Sequence, residues 1–173
     1  MLLKALGTST LIAAVALGSF ASWATGDGAA TPEEVVDKVR EAARYLADAG
    51  EPGLARFRGG GSAYVWKDTY VFVLDCAAGK LVGQPVTPER IGMDLAAIKD
   101  EAGKAYALEM CAAARRPEGG WVEYLRARPG GGAPERKLSY VMAAAGTPYM
   151  VGAGVYDAGA TIEELERISA GRR

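Results

Sequence analysis

The chain has 173 residues, of which 24% are charged and 50% hydrophobic, a composition typical of a globular protein with a packed core. Its 20 basic and 21 acidic residues give a net charge of −1, which excludes a strong general attraction to nucleic acid or an anionic membrane. The sequence contains no histidine, which excludes Ser-His-Asp triads, Cys-His pairs and histidine-ligated zinc.

The first 24 residues have the three parts of an export signal. Lys4 provides a basic start, an apolar stretch covers residues 11–17, and residues 22–24 include small side chains that a signal peptidase accepts. We expect cleavage after Ala24, which would leave residues 25–173 as one periplasmic domain with no stable membrane insertion. Because the apolar stretch is shorter than the ~20 residues that span a bilayer, a retained signal anchor is the less favoured alternative.

An amphipathic helix is predicted over residues 32–49. Thr31 stands at the N-cap, Pro32 at the first helical position, and Glu34 where its carboxylate can reach the cap amide. Apolar residues then recur at helical spacing: Val35, Val36, Val39, Ala42, Ala43 and Leu46. This stripe predicts that one face of the helix packs on a sheet.

A β-hairpin follows in the middle of the chain. Residues 70–74 are β-branched and aromatic and predict a buried strand, and residues 80–84 predict the returning strand. Residues 85–100 are rich in turn formers with scattered apolar side chains, which predicts an irregular crossing with a short helix.

The C-terminal half predicts a helix, three strands and a closing helix. Cys111 lies on the apolar face of the first of these helices, and the strands are expected at residues 121–127, 137–144 and 149–156. A capping box that begins at Thr161 opens the closing helix. The order of elements predicts an α+β domain with a five-stranded antiparallel sheet, and helices at one end and on one face of it.

Five sequence motifs, taken in order and spacing, resemble a single Cache domain of type 2. The motifs are Tyr70-Val71-Phe72-Val73-Leu74-Asp75, Gln84-Pro85, Gly119-Gly120-Trp121-Val122-Glu123-Tyr124, Lys137-Leu138-Ser139-Tyr140-Val141 and Val151-Gly152-Ala153-Gly154-Val155-Tyr156. Such domains occur in bacterial chemoreceptors and as free-standing periplasmic proteins. The resemblance covers about residues 32–158. It implies a PAS-like fold in which a long N-terminal helix and a helical crossing segment pack on the sheet and enclose a small-molecule pocket.

The resemblance also implies a function in ligand sensing and signal transduction, of the kind used in chemotaxis. Relatives with known ligands bind small carboxylates such as acetate or pyruvate, so a small organic acid or similar metabolite is the expected ligand and a membrane receptor the expected partner. We expect no cofactor, no metal and no catalytic residue. Many relatives have a His-Pro pair where this chain has Gln84-Pro85, and this neutral amide weakens the expected preference for carboxylates.

The pocket residues that we predict share polar groups able to bind a small anion. They are Lys137, Tyr124, Gln84, Tyr70, Tyr140 and Trp121. A buried anion needs a cation and several hydrogen-bond donors, and Lys137 is the candidate cation, although a solvated lysine beside Glu135 and Arg136 is equally compatible with the sequence. For the tyrosines, core packing with the hydroxyl at an edge is the alternative, and for Trp121 it is the favoured interpretation.

Cys76 and Cys111 are the two cysteines of the chain. One follows a predicted strand and the other lies on a predicted helix, so a disulfide between sheet and helix is the expectation in an oxidising compartment. Two buried thiols are the alternative.

Three classes of function remain open from the sequence. We favour a periplasmic ligand-binding module over a structural or protein-interaction domain of the cell envelope that binds no ligand. An enzyme that uses Lys137, Tyr124 or Cys111 is the least favoured class, since none of these residues has a diagnostic spacing and Asp75 and Glu123 show no spacing of an acid-base pair.

Overall fold

The computed structural model describes residues 28–59, 61–157 and 159–172, and the predicted export signal lies outside them. The helices in this part of the chain are α1 (Pro32–Ala49), α2 (Tyr106–Ala114) and α3 (Ile162–Gly171). The strands are β1 (Val65–Trp66), β2 (Thr69–Tyr70), β3 (Phe72–Asp75), β4 (Lys80–Gly83), β5 (Gly120–Arg126), β6 (Glu135–Ala143) and β7 (Tyr149–Tyr156). Short 3₁₀ helices lie at Glu51–Phe57, Pro88–Arg90 and Leu95–Ala97. Within the described residues, no helix combines the length and the apolar character needed to cross a bilayer.

A five-stranded antiparallel sheet in the order β4-β3-β7-β6-β5 forms the centre of the domain, as predicted. The last strand in sequence, β7, lies in the middle and pairs with both β3 and β6. The predicted strand over residues 70–74 is split, because Tyr70 belongs to a separate two-stranded ribbon of β1 and β2, and β3 begins at Phe72.

Helix α1 begins with the capping box that the sequence predicts. The backbone N–H of Glu34 donates to the Thr31 hydroxyl at 3.3 Å, and the Thr31 N–H donates to the Glu34 carboxylate at 3.0 Å. The six apolar residues of the predicted stripe are all buried. They pack on β6 and β7, which places α1 across the middle of the sheet.

The two faces of the sheet bury different side chains because successive residues of a strand point in opposite directions. On one face, α1 and α3 cover a cluster that we call the α1-side core, which includes Val73, Leu138 and Val151. On the other face, α2 and the crossing segment (residues 85–105) cover the cavity-side core, which includes Phe72 and Val141. Helices therefore cover both faces, whereas the sequence predicts them on one face and at one end.

Both outer edges of the sheet are covered by other parts of the chain. At the β5 edge, Lys104 donates to the backbone oxygen of Glu123 at 2.6 Å, and the Leu125 N–H donates to Asp100 at 3.2 Å. At the β4 edge, Leu81 exchanges backbone hydrogen bonds with the crossing segment. Covered edges protect a sheet from pairing with a second chain.

The predicted disulfide between Cys76 and Cys111 is present, with Cα atoms 5.8 Å apart. Cys76 follows β3 directly and Cys111 lies on the buried side of α2. The bond therefore ties α2 to the sheet on the cavity side.

Candidate functional site

A cavity lies between the sheet and the α2 side of the domain. Its walls contain apolar side chains from β3, β4, the crossing segment and α2, together with a small number of polar groups. The lining residues are Tyr70, Phe72, Leu74, Leu81, Gln84, Arg90, Ile98, Tyr106, Ala107, Met110, Tyr124 and Arg126. The free volume is about 30 Å³, compared with the ~10–15 Å³ that one buried water requires. The cavity as it stands therefore accommodates only a very small molecule.

Tyr70 and Gln84 provide neighbouring polar groups on the cavity wall. The Gln84 side-chain amide lies 3.5 Å from the Tyr70 hydroxyl, at the outer limit of a hydrogen bond. The Gln84 side-chain oxygen accepts a hydrogen bond from the backbone N–H of Val86 at 3.3 Å, which orients the amide so that its N–H₂ group faces the phenol. Two of the sequence-predicted residues are thus brought together.

Lys137 is completely buried, and its ammonium has no hydrogen-bond partner among the described residues. The ammonium lies 4.6 Å from the centre of the Tyr70 ring and 4.8 Å from the centre of the Tyr156 ring, both within the range of a cation–π interaction. Lys137 does not itself line the cavity, whereas Tyr70 does. The alternative of a solvated Lys137 is therefore wrong. Lys137 influences the cavity through the Tyr70 ring, which lines it.

Glycine in β7 makes room for the buried lysine. A Cβ atom at Gly154 would lie 2.9 Å from Lys137 Cε and 2.3 Å from the Ser139 hydroxyl. Any larger residue at position 154 would collide with both side chains. The glycine at position 154 is thus explained by the close approach of Ser139 and Lys137, whereas Gly152 makes room for Phe72 and Val141.

Tyr124 lies on β5 opposite Lys137 in the strand register and contacts the cavity. Its hydroxyl pairs with the Ser139 hydroxyl at 3.0 Å, and its ring stacks on Tyr106 with centroids 4.1 Å apart. Burial raises the pKa of Tyr124 well above its usual value, and the neighbouring tyrosines raise it further. Tyr124 therefore stays a neutral hydrogen-bonding group.

Arg126 and Arg90 also line the cavity, and neither was among the predicted site residues. Neither forms any of the ion pairs found among the described residues. Arg126 has a second role, because it and Tyr70 also line an outer cleft of about 450 Å³ between the crossing segment and the β5–β6 loop. Arg126 thus stands between the cavity and the surface cleft.

Trp121 and Tyr140 lie on the opposite face of the sheet, in the α1-side core. Their rings are 5.5 Å apart, and the Tyr140 hydroxyl donates to the backbone oxygen of Glu118 at 2.5 Å. Each is three residues away from a cavity-side residue on its own strand, Tyr124 and Lys137 respectively, and odd separations point to opposite faces. The sequence analysis grouped Trp121 and Tyr140 with the pocket residues. The structure places both of them outside the cavity lining.

The charges around Tyr70 and Lys137 act on each other. Burial lowers the pKa of Lys137 below its usual value; Tyr70 acts in the opposite direction, and the positive charge of Arg126 lowers it further. Burial alone would raise the pKa of Tyr70, but Lys137 and Arg126 together bring that pKa below its usual value. The Tyr70 hydroxyl is therefore a stronger hydrogen-bond donor than an ordinary phenol.

The tight turn between β1 and β2 connects this region with the beginning of α1. Lys67, which adopts a positive φ of 46°, binds the Glu34 carboxylate at 2.6 Å. Asp68 accepts a hydrogen bond from the backbone N–H of Ala30 at 2.8 Å and from Arg128 at 2.5 Å. Two residues further along, the same ribbon contributes Tyr70 to the cavity wall.

A comparison with protein-family models matches residues 24–164 to single Cache domain 2. Among curated proteins, the methyl-accepting chemotaxis protein McpP of Pseudomonas putida is 35% identical over 89 residues, which is 51% of this chain. The aligned segment spans 16% of the length of that receptor.

Three solved structures share the fold. The periplasmic sensor domain of a chemotaxis protein gives a TM-score of 0.57 at 26% identity, over 70% of this chain and 89% of that one. A Cache chemosensory domain described for carboxylic acid recognition gives 0.54 at 27% identity, over 70% and 85%. A methyl-accepting chemotaxis protein from Vibrio parahaemolyticus gives 0.59 at 18% identity, over 72% and 86%, and supports the fold alone.

Proposed function

Because this chain belongs to the single Cache domain 2 family, we propose that it is an extracytoplasmic sensor domain that binds one small carboxylate in its cavity and signals through a membrane partner. The observation that carries this proposal is a set of basic side chains that have no carboxylate partner among the described residues: Arg126 and Arg90 line the cavity, and Lys137 lies behind Tyr70. A buried or half-buried cation without a counter-charge is unfavourable, and a bound anion would relieve that cost.

The size and lining of the cavity support a short acid. The free volume of about 30 Å³ limits the ligand to a few heavy atoms unless side chains move. Phe72, Leu74, Ile98 and Met110 give the cavity an apolar lining that suits a short alkyl group. A short carboxylate would match this lining with its alkyl part and the polar lining residues with its charged group.

Each polar residue has a distinct part in the proposed binding. The planar guanidinium of Arg126 can donate two parallel hydrogen bonds to a carboxylate, which a lysine cannot do. Tyr70 and the Gln84 amide would donate to the carboxylate oxygens. Lys137 would act through Tyr70, because its positive charge strengthens that donor. Gln84 provides a neutral donor where the family often has a titratable histidine.

We propose that residues 1–24 are removed on export, that residues 25–173 act as one periplasmic domain, and that a membrane receptor reads the ligand-bound form. The proposal assigns no catalytic group. The alternative is an envelope domain that binds no ligand and acts by protein contacts.

Thermal unfolding of the exported protein with a panel of formate, acetate, propionate, pyruvate and lactate tests the proposal. A ligand at 100 times its dissociation constant adds ~2.7 kcal/mol of stability, which is easily measured. We expect at least one acid to stabilise the protein and Arg126→Met to remove most of that effect, whereas Arg167→Met on the exposed face of α3 should leave it unchanged. Absence of stabilisation by every acid would favour the alternative.

A further inference from the structure

The buried ammonium group of Lys137 is energetically unfavourable, and the described residues do not fully compensate this cost. Its side chain is fully buried, and its Nζ has neither a hydrogen-bond partner nor a carboxylate within ion-pair distance among those residues. Two tyrosine rings provide weak cation–π contacts, which compensate only part of the cost of taking an ammonium out of water. Burial therefore makes the ammonium form less favourable in the unliganded domain and lowers the pKa of Lys137 below its usual value.

The groups that surround Lys137 come from several elements of the fold. They are Tyr70 on β2, Tyr124 and Arg126 on β5, Ser139 on β6, Tyr156 on β7, Asp68 in the β1–β2 turn and Arg128 in the β5–β6 loop. The one carboxylate in this set, Asp68, is already paired with Arg128 at 2.5 Å. No neighbour in this set supplies a free negative charge to Lys137.

We propose that the cavity binds its carboxylate together with a proton, and that Lys137 Nζ is the proton site. The inference rests on the proposed function. When the anion binds beside Tyr70, its negative charge stabilises the ammonium form across the phenol ring. At a pH where the amine is neutral in the free protein, the –NH₂ group therefore takes one proton from solvent and becomes –NH₃⁺. The positive charge of the protonated Lys137 then neutralises the negative charge of the carboxylate inside the domain.

The composition of the chain makes protonation of Lys137 easier to distinguish from protonation of other side chains. The sequence contains no histidine, and both cysteines form a disulfide and do not titrate. The side chains that commonly titrate between pH 6 and 9 are thus missing. Apart from the α-amino terminus, the candidates for proton uptake in this range are Lys137 and its partner Tyr70.

The sign of the pH dependence follows from linkage. The bound anion raises the pKa of Lys137 above its value in the free protein, so the complex holds more protons than the free protein between these two values. The affinity should be highest below the lower value and should fall by up to about tenfold per pH unit between them. Above the higher value the affinity should be constant and low.

Isothermal titration calorimetry measures the proton directly. The tightest-binding acid of the panel is titrated into the protein in phosphate and in Tris at the same pH, and the difference in heat gives the number of protons taken up. We expect an uptake of up to one proton per ligand at some pH between 6 and 10 in the wild-type protein. Lys137→Met should abolish this uptake, and Lys38→Met on the surface of α1 should retain it.

Two further variants keep the inference testable if Lys137→Met fails to fold. Lys137→Arg keeps a permanent charge and should bind without proton uptake, whereas Tyr70→Phe should still take up the proton. Binding by the wild-type protein without proton uptake at any pH, or uptake that is retained in Lys137→Arg, would overturn the proton site and leave the proposed function standing. Absence of binding by every acid would instead overturn the proposed function itself, and the proton site with it.

Discussion

The ammonium of Lys137 lies 4.6 Å from the centre of the Tyr70 ring, although the two residues come from different sheets of the domain. Tyr70 faces the cavity and Lys137 does not. The positive charge of Lys137 therefore acts on the cavity through an aromatic ring. A ligand can be attracted by Lys137 without contacting it.

The first prediction concerns the ionisation of Tyr70. Since the charge of Lys137 lowers the pKa of this phenol, Lys137→Met should raise that pKa. The measurement is an NMR titration of ¹³Cζ-labelled tyrosine, with Tyr70→Phe to assign the signal. Lys38→Met should leave the Tyr70 titration unchanged, and an unchanged titration in Lys137→Met as well would show that the two groups are not coupled.

The second prediction concerns the stability of the unliganded protein. Burial lowers the pKa of Lys137 in the folded state, whereas the unfolded chain keeps a value of about 10.4. Between these values the unfolded state binds more protons, so this group makes the free energy of unfolding rise with pH. Urea denaturation at several pH values from 7 to 10.5 should show the rise above the folded-state pKa, and Lys137→Met should show a flatter profile. Equal slopes for both proteins would mean that Lys137 stays charged when it is buried.

The third prediction concerns the apolar lining of the cavity. Met110 lines the cavity and is 1% exposed, so Met110→Ala should destabilise the protein by about 2–5 kcal/mol. The added space should shift the preference from the shortest acids of the panel toward acids that are longer by one or two carbons. Met142→Ala is the matched control, because Met142 packs on the α1-side core. The control should cost stability without changing the ligand preference, and an unchanged preference in Met110→Ala would remove Met110 from the site.

The fourth prediction concerns the disulfide. Cys76 and Cys111 are 35 residues apart in sequence, and a loop of this length corresponds to about 4 kcal/mol in the chain-entropy model. The double variant Cys76→Ser, Cys111→Ser should unfold at a correspondingly lower urea concentration. Dithiothreitol should lower the midpoint of the wild-type protein and leave that of the double variant unchanged. A wild-type midpoint that is insensitive to reduction would contradict this contribution.

Strand periodicity and capping signals were sufficient to predict most of the fold. The helix that begins at Pro32, the strand over 149–156 and the disulfide all agree with the structure, because each depends on local chemistry or on one strong pattern. The break after Tyr70 was missed, since a continuous apolar run of residues gives no sign of where one ribbon ends and another strand begins.

The candidate site was only partly predictable. Arg126 has the same parity as Tyr124 on β5, so alternation places both on one face and could have identified the arginine. The same rule separates Tyr140 from Lys137 and could have kept them apart. Arg90 belongs to a 3₁₀ turn of the crossing segment, and no sequence periodicity indicates which side chains of such a turn face inward.

The tight turn at Lys67 and Asp68 also has a mechanical consequence. Within four residues, the ribbon touches the first turn of α1 through Lys67, the chain just before that helix through Asp68, and the cavity through Tyr70. Because these three contacts lie within four residues, we expect a displacement of one to be transmitted to the others. A shift of the phenol toward an arriving acid would pull on the N-terminal end of α1.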